Sequence, residues 1–295
     1  MKKIVVFTDF SERAAQAAIY AWHLAHELQA NLVLYHAYLN PASQPYAAQI
    51  AWPLVNAGQL EINTRKELTL IASMLGKIDP LSQRKDFVPK VDTRCDEGEL
   101  TDNLESIAQD KDIVLYIMAN HRKGFGSLIT GNHINKMLEG TTIPVLIVPS
   151  GKLYRPLKKI AFATDLNPKD IDVLYALSGF ARHFDASIML ANISAESESA
   201  RSKEKRDQVQ QFLCEVSNKL NYPNVYYRHI QENDVAAGLQ WATENIAFDL
   251  LVMVHRQKNF LERLFGDSHT KSAAERLVLP LLIFPSPATH YPVFF

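Results

Sequence analysis

The sequence predicts an α/β protein of two tandem domains, each a five-stranded parallel sheet with helices on both faces. Three observations carry that expectation. First, Lys2–Ala37 reads as strand, loop, helix, strand, and laid without a gap on Lys158–Ile193 it matches at Lys2/Lys158, Lys3/Lys159, Ile4/Ile160, Thr8/Thr164 and Asp9/Asp165. A repeat of about half the chain is too long for a solenoid unit and points to two copies of one domain. Second, short apolar runs such as Ile4–Phe7 alternate with helical periodicities. Strands buried on both faces of a parallel sheet look like this, and their alternation with helices implies βαβ units. Third, 295 residues suit about two domains. The division falls at 1–150 and 151–295, with Ser150–Pro156 as linker.

Each element has its own signal. After the first strand, Ser11 is placed to cap a helix whose inner face is Ala14, Ala17, Ala18, Ala21, Leu24, Ala25 and Leu28. Leu32–Tyr35 is the second strand, and Asn40–Pro53 an irregular stretch punctuated by three prolines. Gln59–Lys77 is a helix with Leu60, Leu68, Ile71 and Leu75 inward; a strand near Phe87–Val91 and a helix near Leu100–Gln109 follow. Ile113–Met118 is a buried strand, His133–Leu138 a helix, and Val145–Val148 the closing strand. In the second copy Asn167 is the expected cap, Pro168 suits the first helical position, and Asp170 favours the positive helix start. The echo continues through helix Glu198–Leu220, strand Val225–Ile230, helix Val235–Ile246, strand Leu250–Val254, helix Thr270–Leu277 and strand Leu281–Phe284. The aromatic tail Ser286–Phe295 is expected to pack on the body.

Composition narrows the function classes. Net charge is −1 with no basic tract, which argues against a nucleic-acid binder. Arg201–Arg206 is interrupted by Glu204 and reads as a solvated helix face. Cys95 and Cys214 have no CxxC spacing, and the ten histidines form no HxxxH or carboxylate cluster, so neither disulfide nor metal is expected. No apolar run approaches the roughly 20 residues of a membrane span, and the N-terminus lacks a signal-like core. A cytoplasmic protein without a membrane partner is the simplest expectation.

Open parallel sheets bind ligands at the carboxyl ends of their strands, near the reversal in strand order. The candidates there are Thr8 and Asp9 after strand one, His36 and Ala37 after strand two, and the loop Ala119–Asn132 after strand four. That loop holds Gly124, Gly126 and Gly131 beside Arg122 and Lys123, just ahead of a helix. Glycines admit an anion close to the backbone, and a helix start favours negative charge. It is neither a Walker loop nor a Rossmann fingerprint. Asp9 and Asp165 have a plainer role open to them, accepting from loop amides ahead of the helix. His36 and Asn192 at matching strand ends read as loop polars.

At Thr8-Asp9-Phe10-Ser11, the glycine loop, and Ile143–Pro149, the chain resembles the universal stress protein family, along essentially its whole length as two copies. The resemblance implies a stress-response role, a flavodoxin-like fold of the adenine nucleotide α-hydrolase type, and a dimer-like pairing of the copies through their last strands. Family members with a loop of the form G-x2-G-x9-G-S/T bind ATP. Here, counting back from Gly131, His121 and Met118 stand where glycines are expected, and Asn132 replaces Ser or Thr. A candidate nucleotide site, for ATP with magnesium, therefore comprises Thr8, Asp9, Ala37, Arg122, Gly124, Gly126, Gly131 and Asn132. A gap-free register places Phe260, Glu262 and Asp267 opposite Gly124, Gly126 and Gly131, so the second copy is expected not to bind nucleotides. Ser268, His269 and Lys271 form a weaker anion-binding candidate there, with capping by Ser268 as the simpler account. The expected function is a non-enzymatic ligand-sensing or protein-partner-binding module. The alternatives are a scaffold without nucleotide and a slow ATPase at the first site.

Overall fold

The computed structural model describes residues 1–39, 57–81, 86–120, 131–197, 202–256 and 279–286. The chain divides into two compact units, Met1–Thr141 and Thr142–Phe295. The first unit runs β1 (Lys3–Phe7), α1 (Glu12–Leu28), β2 (Asn31–Tyr38), α2 (Ala57–Leu75), β3 (Val91–Glu97), α3 (Leu100–Ala108), β4 (Ile113–Ala119) and α4 (Gly131–Glu139). Its strands lie in the order β3-β2-β1-β4, all parallel. Connections step outward from β1 to β3 and then return to β4, so strand order reverses between β1 and β4.

The second unit begins with β5 (Val145–Val148), followed by β6 (Lys159–Ala163), α5 (Asp170–Arg182), β7 (Ser187–Ser194), α6 (Lys203–Lys219), β8 (Val225–Gln231), α7 (Val235–Asn245), β9 (Leu250–His255) and β10 (Leu281–Pro285). Its order is β5-β10-β9-β6-β7-β8, with the equivalent reversal between β6 and β9. β5 runs antiparallel to β10, Val145 opposite Ile283 and Ile147 opposite Leu281. The last strands of the two sequence copies thus pair. The compact division accordingly falls before β5, whereas the repeat, read from sequence, ends after it.

The two copies share backbone detail as well as order. Non-glycine residues with positive φ occur in corresponding pairs, Phe10 with Leu166 (both +63°) and Gln29 (+50°) with Asp185 (+49°). Gln29 ends α1 in the left-handed conformation, its amide reaching Ala25 and His26 carbonyls. Ser11 caps α1 by accepting from the Ala14 amide at 3.2 Å, as its sequence position predicts, and the alanine-leucine face of α1 is buried. Alanines let the helix lie close on β1, β2 and β4.

Two expected elements move. The third strand is Val91–Glu97 rather than Phe87–Val91. It edges the sheet, so its mixed sequence VDTRCDE needs no continuous apolar run, and Pro89, without an amide, lies outside the ladder. In the second copy α5 starts at Asp170, not at Pro168: Asn167 instead accepts from the Lys169 amide at 3.0 Å, and Asp170 turns inward to full burial. The stretches Asn40–Pro53 and Thr270–Leu277 and the tail beyond Ser286 lie outside the described residues. Gly238 marks where α7 crosses β7, since a methyl there would lie 2.6 Å from Ile193 Cγ2.

A buried histidine pair gives the first unit an acid-sensitive patch. His23 and His26 are nearly solvent-free; the His23 ring accepts from the Leu81 amide at 3.3 Å, and His26 meets Trp22 edge-on at 4.7 Å. Burial is the main force holding both imidazoles below their ordinary pKa, with each other's proximity adding to the effect on His23. A histidine whose folded pKa is depressed supports the fold fully above its unfolded value near 6.5 and loses that support as pH falls through it. Urea unfolding of the first unit should weaken between about pH 7.5 and about pH 5.5, and His26→Leu should flatten that acid limb. An unchanged slope in the variant would remove His26 from the account.

Candidate functional site

The reversals in strand order set two crevices, one at the carboxyl ends of β1 and β4, the other at those of β6 and β9. Their shared lining is built by one four-residue turn. In the first copy the Thr8 amide donates to the Tyr35 carbonyl (2.9 Å), Phe10 N–H donates to Thr8 Oγ1 (3.1 Å) and Ser11 N–H to Asp9 Oδ1 (3.0 Å). In the second, Thr164 donates to the Ala191 carbonyl (3.0 Å), Leu166 to Thr164 Oγ1 (2.9 Å) and Asn167 to Asp165 Oδ1 (3.3 Å). The left-handed residue at 10 and 166 is what turns those amides back onto the threonine and aspartate; single non-glycine residues there cost roughly 1 kcal/mol each. The aspartates thus do brace the loop, as the plainer reading of the sequence expects.

The strand-end polar residues fall into the same frame. His36 Nδ1 lies 2.7 Å from the Thr8 carbonyl, and the His36 ring packs on Phe10 at 4.4 Å. Asn192 Nδ2 donates to the Thr164 carbonyl at 3.0 Å, and Asn192 Oδ1 accepts from the Tyr227 hydroxyl at 3.3 Å. Both hold the turn in place. Of the candidate nucleotide residues, the structure brings Thr8 and Asp9 to the end of β1, places Ala37 in β2, and puts Gly131 and Asn132 in the first turn of α4. Arg122, Gly124, Gly126, and the second-copy Ser268, His269 and Lys271 lie outside the described residues.

The second crevice holds an ion triad. Arg256, the residue directly after β9, reaches back across the end of β6 and bonds both Asp165, at 2.5 Å from Nη1, and Asp170, through Nη2. Asp170 also accepts from the Thr164 hydroxyl at 2.6 Å, so both of its oxygens are used. Its side chain is 1% exposed, that of Arg256 24%, and that of Asp165 68%. Burial pushes the Asp170 carboxyl up to about 6, against the downward pull of Thr164 and Arg256; the Asp165 charge adds to the rise. A buried carboxylate needs this kind of pairing because desolvation otherwise drives it neutral. The first copy has Ala14 at the position of Asp170.

Beside the triad lies a cavity of about 240 Å³. Ala163, Ala191, Ile193, Val235, Met253 and Val254 give it an apolar wall; Thr164, Asp165 and Arg256 supply its polar groups. In the sequence Asp170 reads as a helix-start residue and Arg256 has no assigned role. The available signal was a lone arginine directly after a buried strand, at the end where ligands bind, in a copy already carrying two aspartates five residues apart. Among the described residues no group of histidine, cysteine and carboxylate side chains could hold a metal, and both cysteines are free. No helix among the described residues is long and apolar enough to cross a membrane.

Comparison with known proteins gives the following. The model of the universal stress protein family matches residues 1–149 and 156–285. Among solved structures, a universal stress protein from Archaeoglobus fulgidus DSM 4304 is 13% identical, with 95% of each chain covered and a TM-score of 0.61. A putative universal stress protein from Pseudomonas aeruginosa UCBPP-PA14 is 14% identical, covering 96% of this chain and 93% of that one, at a TM-score of 0.51. The cytoplasmic domain of a prokaryotic cation chloride cotransporter is 10% identical over 96% of this chain and 94% of that one, at a TM-score of 0.55. At such identities the likeness is one of fold. No curated protein matches the chain.

Proposed function

Because this chain belongs to the universal stress protein family, as two tandem copies, we infer that it is a non-catalytic ligand-sensing module whose adenine nucleotide is confined to the first copy. The observation that carries this reading is the difference between the crevices. In the second, Arg256 is committed to Asp165 and to the buried Asp170, so its guanidinium is already taken by two carboxylates. A phosphate entering there would have to compete with both carboxylates for the one guanidinium. The first copy has the same turn, with an alanine at position 14 where the second has its buried carboxylate.

ATP with magnesium would meet Thr8, Asp9 and Ala37 at the strand ends. Its phosphates would meet Arg122, Gly124, Gly126, Gly131 and Asn132. Support for the phosphate end comes from α4, Gly131–Glu139, whose N-terminal end carries the positive pole of the helix dipole. Protein partners would read the occupancy of that copy, and the protein would work in the cytoplasm. Calorimetric titration of nucleotide-stripped protein with ATP and magnesium tests this. One site per chain is expected, abolished by Gly131→Asp and retained in Asp165→Asn. Two sites, or a single site lost in Asp165→Asn and kept in Gly131→Asp, would overturn the assignment. No heat up to millimolar ATP would favour the alternative, a scaffold resting on the β5–β10 pairing.

A further inference from the structure

The second crevice has the features of a ligand site, with a chemistry opposite to that of a nucleotide. We propose that the cavity beside the Arg256–Asp165–Asp170 triad binds a small organic cation, a primary amine on a compact apolar body. This goes beyond the nucleotide reading of the first copy and does not depend on it.

Size and wall come first. At about 30 Å³ per water-sized group, 240 Å³ takes roughly eight heavy atoms, about the size of a benzyl or short alkyl amine. Ile193 on β7, Met253 on β9 and Val235 at the start of α7 offer such a body an apolar wall.

Charge decides the head group. Asp170 is closed to a ligand, because its side chain is 1% exposed and its two oxygens face Arg256 and Thr164. Among the described residues Asp165 gives only Oδ1, to Arg256 and the Asn167 amide, and its side chain is 68% exposed, which leaves the second oxygen to a ligand at the edge of the cavity. An ammonium placed there brings the triad's net charge from −1 to zero. A carboxylate would instead set three anions around one guanidinium, or would have to expel Asp165 from it. Nor do the nearby helix starts favour an anion. α5 has Asp170 as its first residue, and the start of α7 beside Val235 is capped by Asp234, whose carboxylate accepts from the Ala237 amide at 3.1 Å. Both positive helix ends are already answered by carboxylates.

The test uses the full chain and three probes of one shape: benzylamine, benzyl alcohol and benzoate. Met253 methyl shifts in NMR report occupancy of the cavity. Benzylamine is expected to bind at least tenfold more tightly than either of the others. Asp165→Asn keeps the amide-accepting oxygen of the turn and should erase the preference for the amine. Val235→Phe fills the cavity from the first residue of α7 and should block all three probes. Tighter binding of benzoate, equal affinity for all three, an amine preference that survives Asp165→Asn, or no Met253 shift at millimolar benzylamine would each overturn the proposal.

Discussion

Arg256→Ala is expected to destabilise the second unit by about 3–5 kcal/mol, the usual consequence of stranding a buried charge by removing its partner. Asp170 would then keep only the Thr164 hydroxyl at one oxygen, with no cation to offset its desolvation. Most of the loss should return in the double variant Arg256→Ala/Asp170→Asn, which removes the charge itself and retains an acceptor for Thr164. Urea unfolding followed by hydrogen exchange of β6 and β9 amides would localise the effect to the second unit.

The pH dependence separates this account from a packing defect. The folded carboxyl of Asp170 sits at about 6, above the ordinary range. A carboxyl raised in the folded state binds its proton more tightly there, so its contribution becomes more favourable as pH falls from above 6 toward the unfolded value near 4. Arg256 opposes that rise, and without it the carboxyl climbs further. The Arg256→Ala defect should therefore be largest at neutral pH and shrink on acidification. A defect of equal size at both ends, or none at neutral pH, would show that the ion triad does not govern this crevice.

Val145→Asp should be as damaging by a different route. Val145 is fully buried and stands opposite Ile283 in the antiparallel β5–β10 pair. A carboxylate there has no described partner and must either stay charged at high cost or take up a proton, so a loss of about 3–5 kcal/mol is expected. Leu281→Asp, on the partner strand opposite Ile147, should do the same. Tyr226→Asp on the exposed side of β8 is the control, expected to shift stability by no more than about 0.5 kcal/mol. Unchanged unfolding midpoints in both core variants would refute the pairing of the two last strands as a stabilising element.

The amino-acid sequence by itself determined the architecture of this protein. Apolar runs as short as Ile4–Phe7 and Val145–Val148, bounded by turn residues, suit buried strands, and the alanine stripe of α1 suits a closely packed helix, so element type and order are largely local properties. The repeat Thr8-Asp9 against Thr164-Asp165 likewise foretold the turn at each crevice, because an aspartate ahead of a helix bonds amides two residues away. Edge strand β3 was misplaced for an equally local reason: an edge needs little hydrophobicity, so its residues VDTRCDE carry no strand signal.

Tertiary structure alone decided the charge at the second crevice. Asp165, Asp170 and Arg256 span 91 residues of chain, and nothing in their spacing brings them together. Parallel βαβ winding does, by setting the end of β9 directly beside the end of β6. Only there does burial turn Asp170 from a helix-start residue into a carboxylate that must be paired, and only there does Arg256 become its counter-ion. Desolvation depends on what surrounds a group in space, so it has no local signature in the sequence.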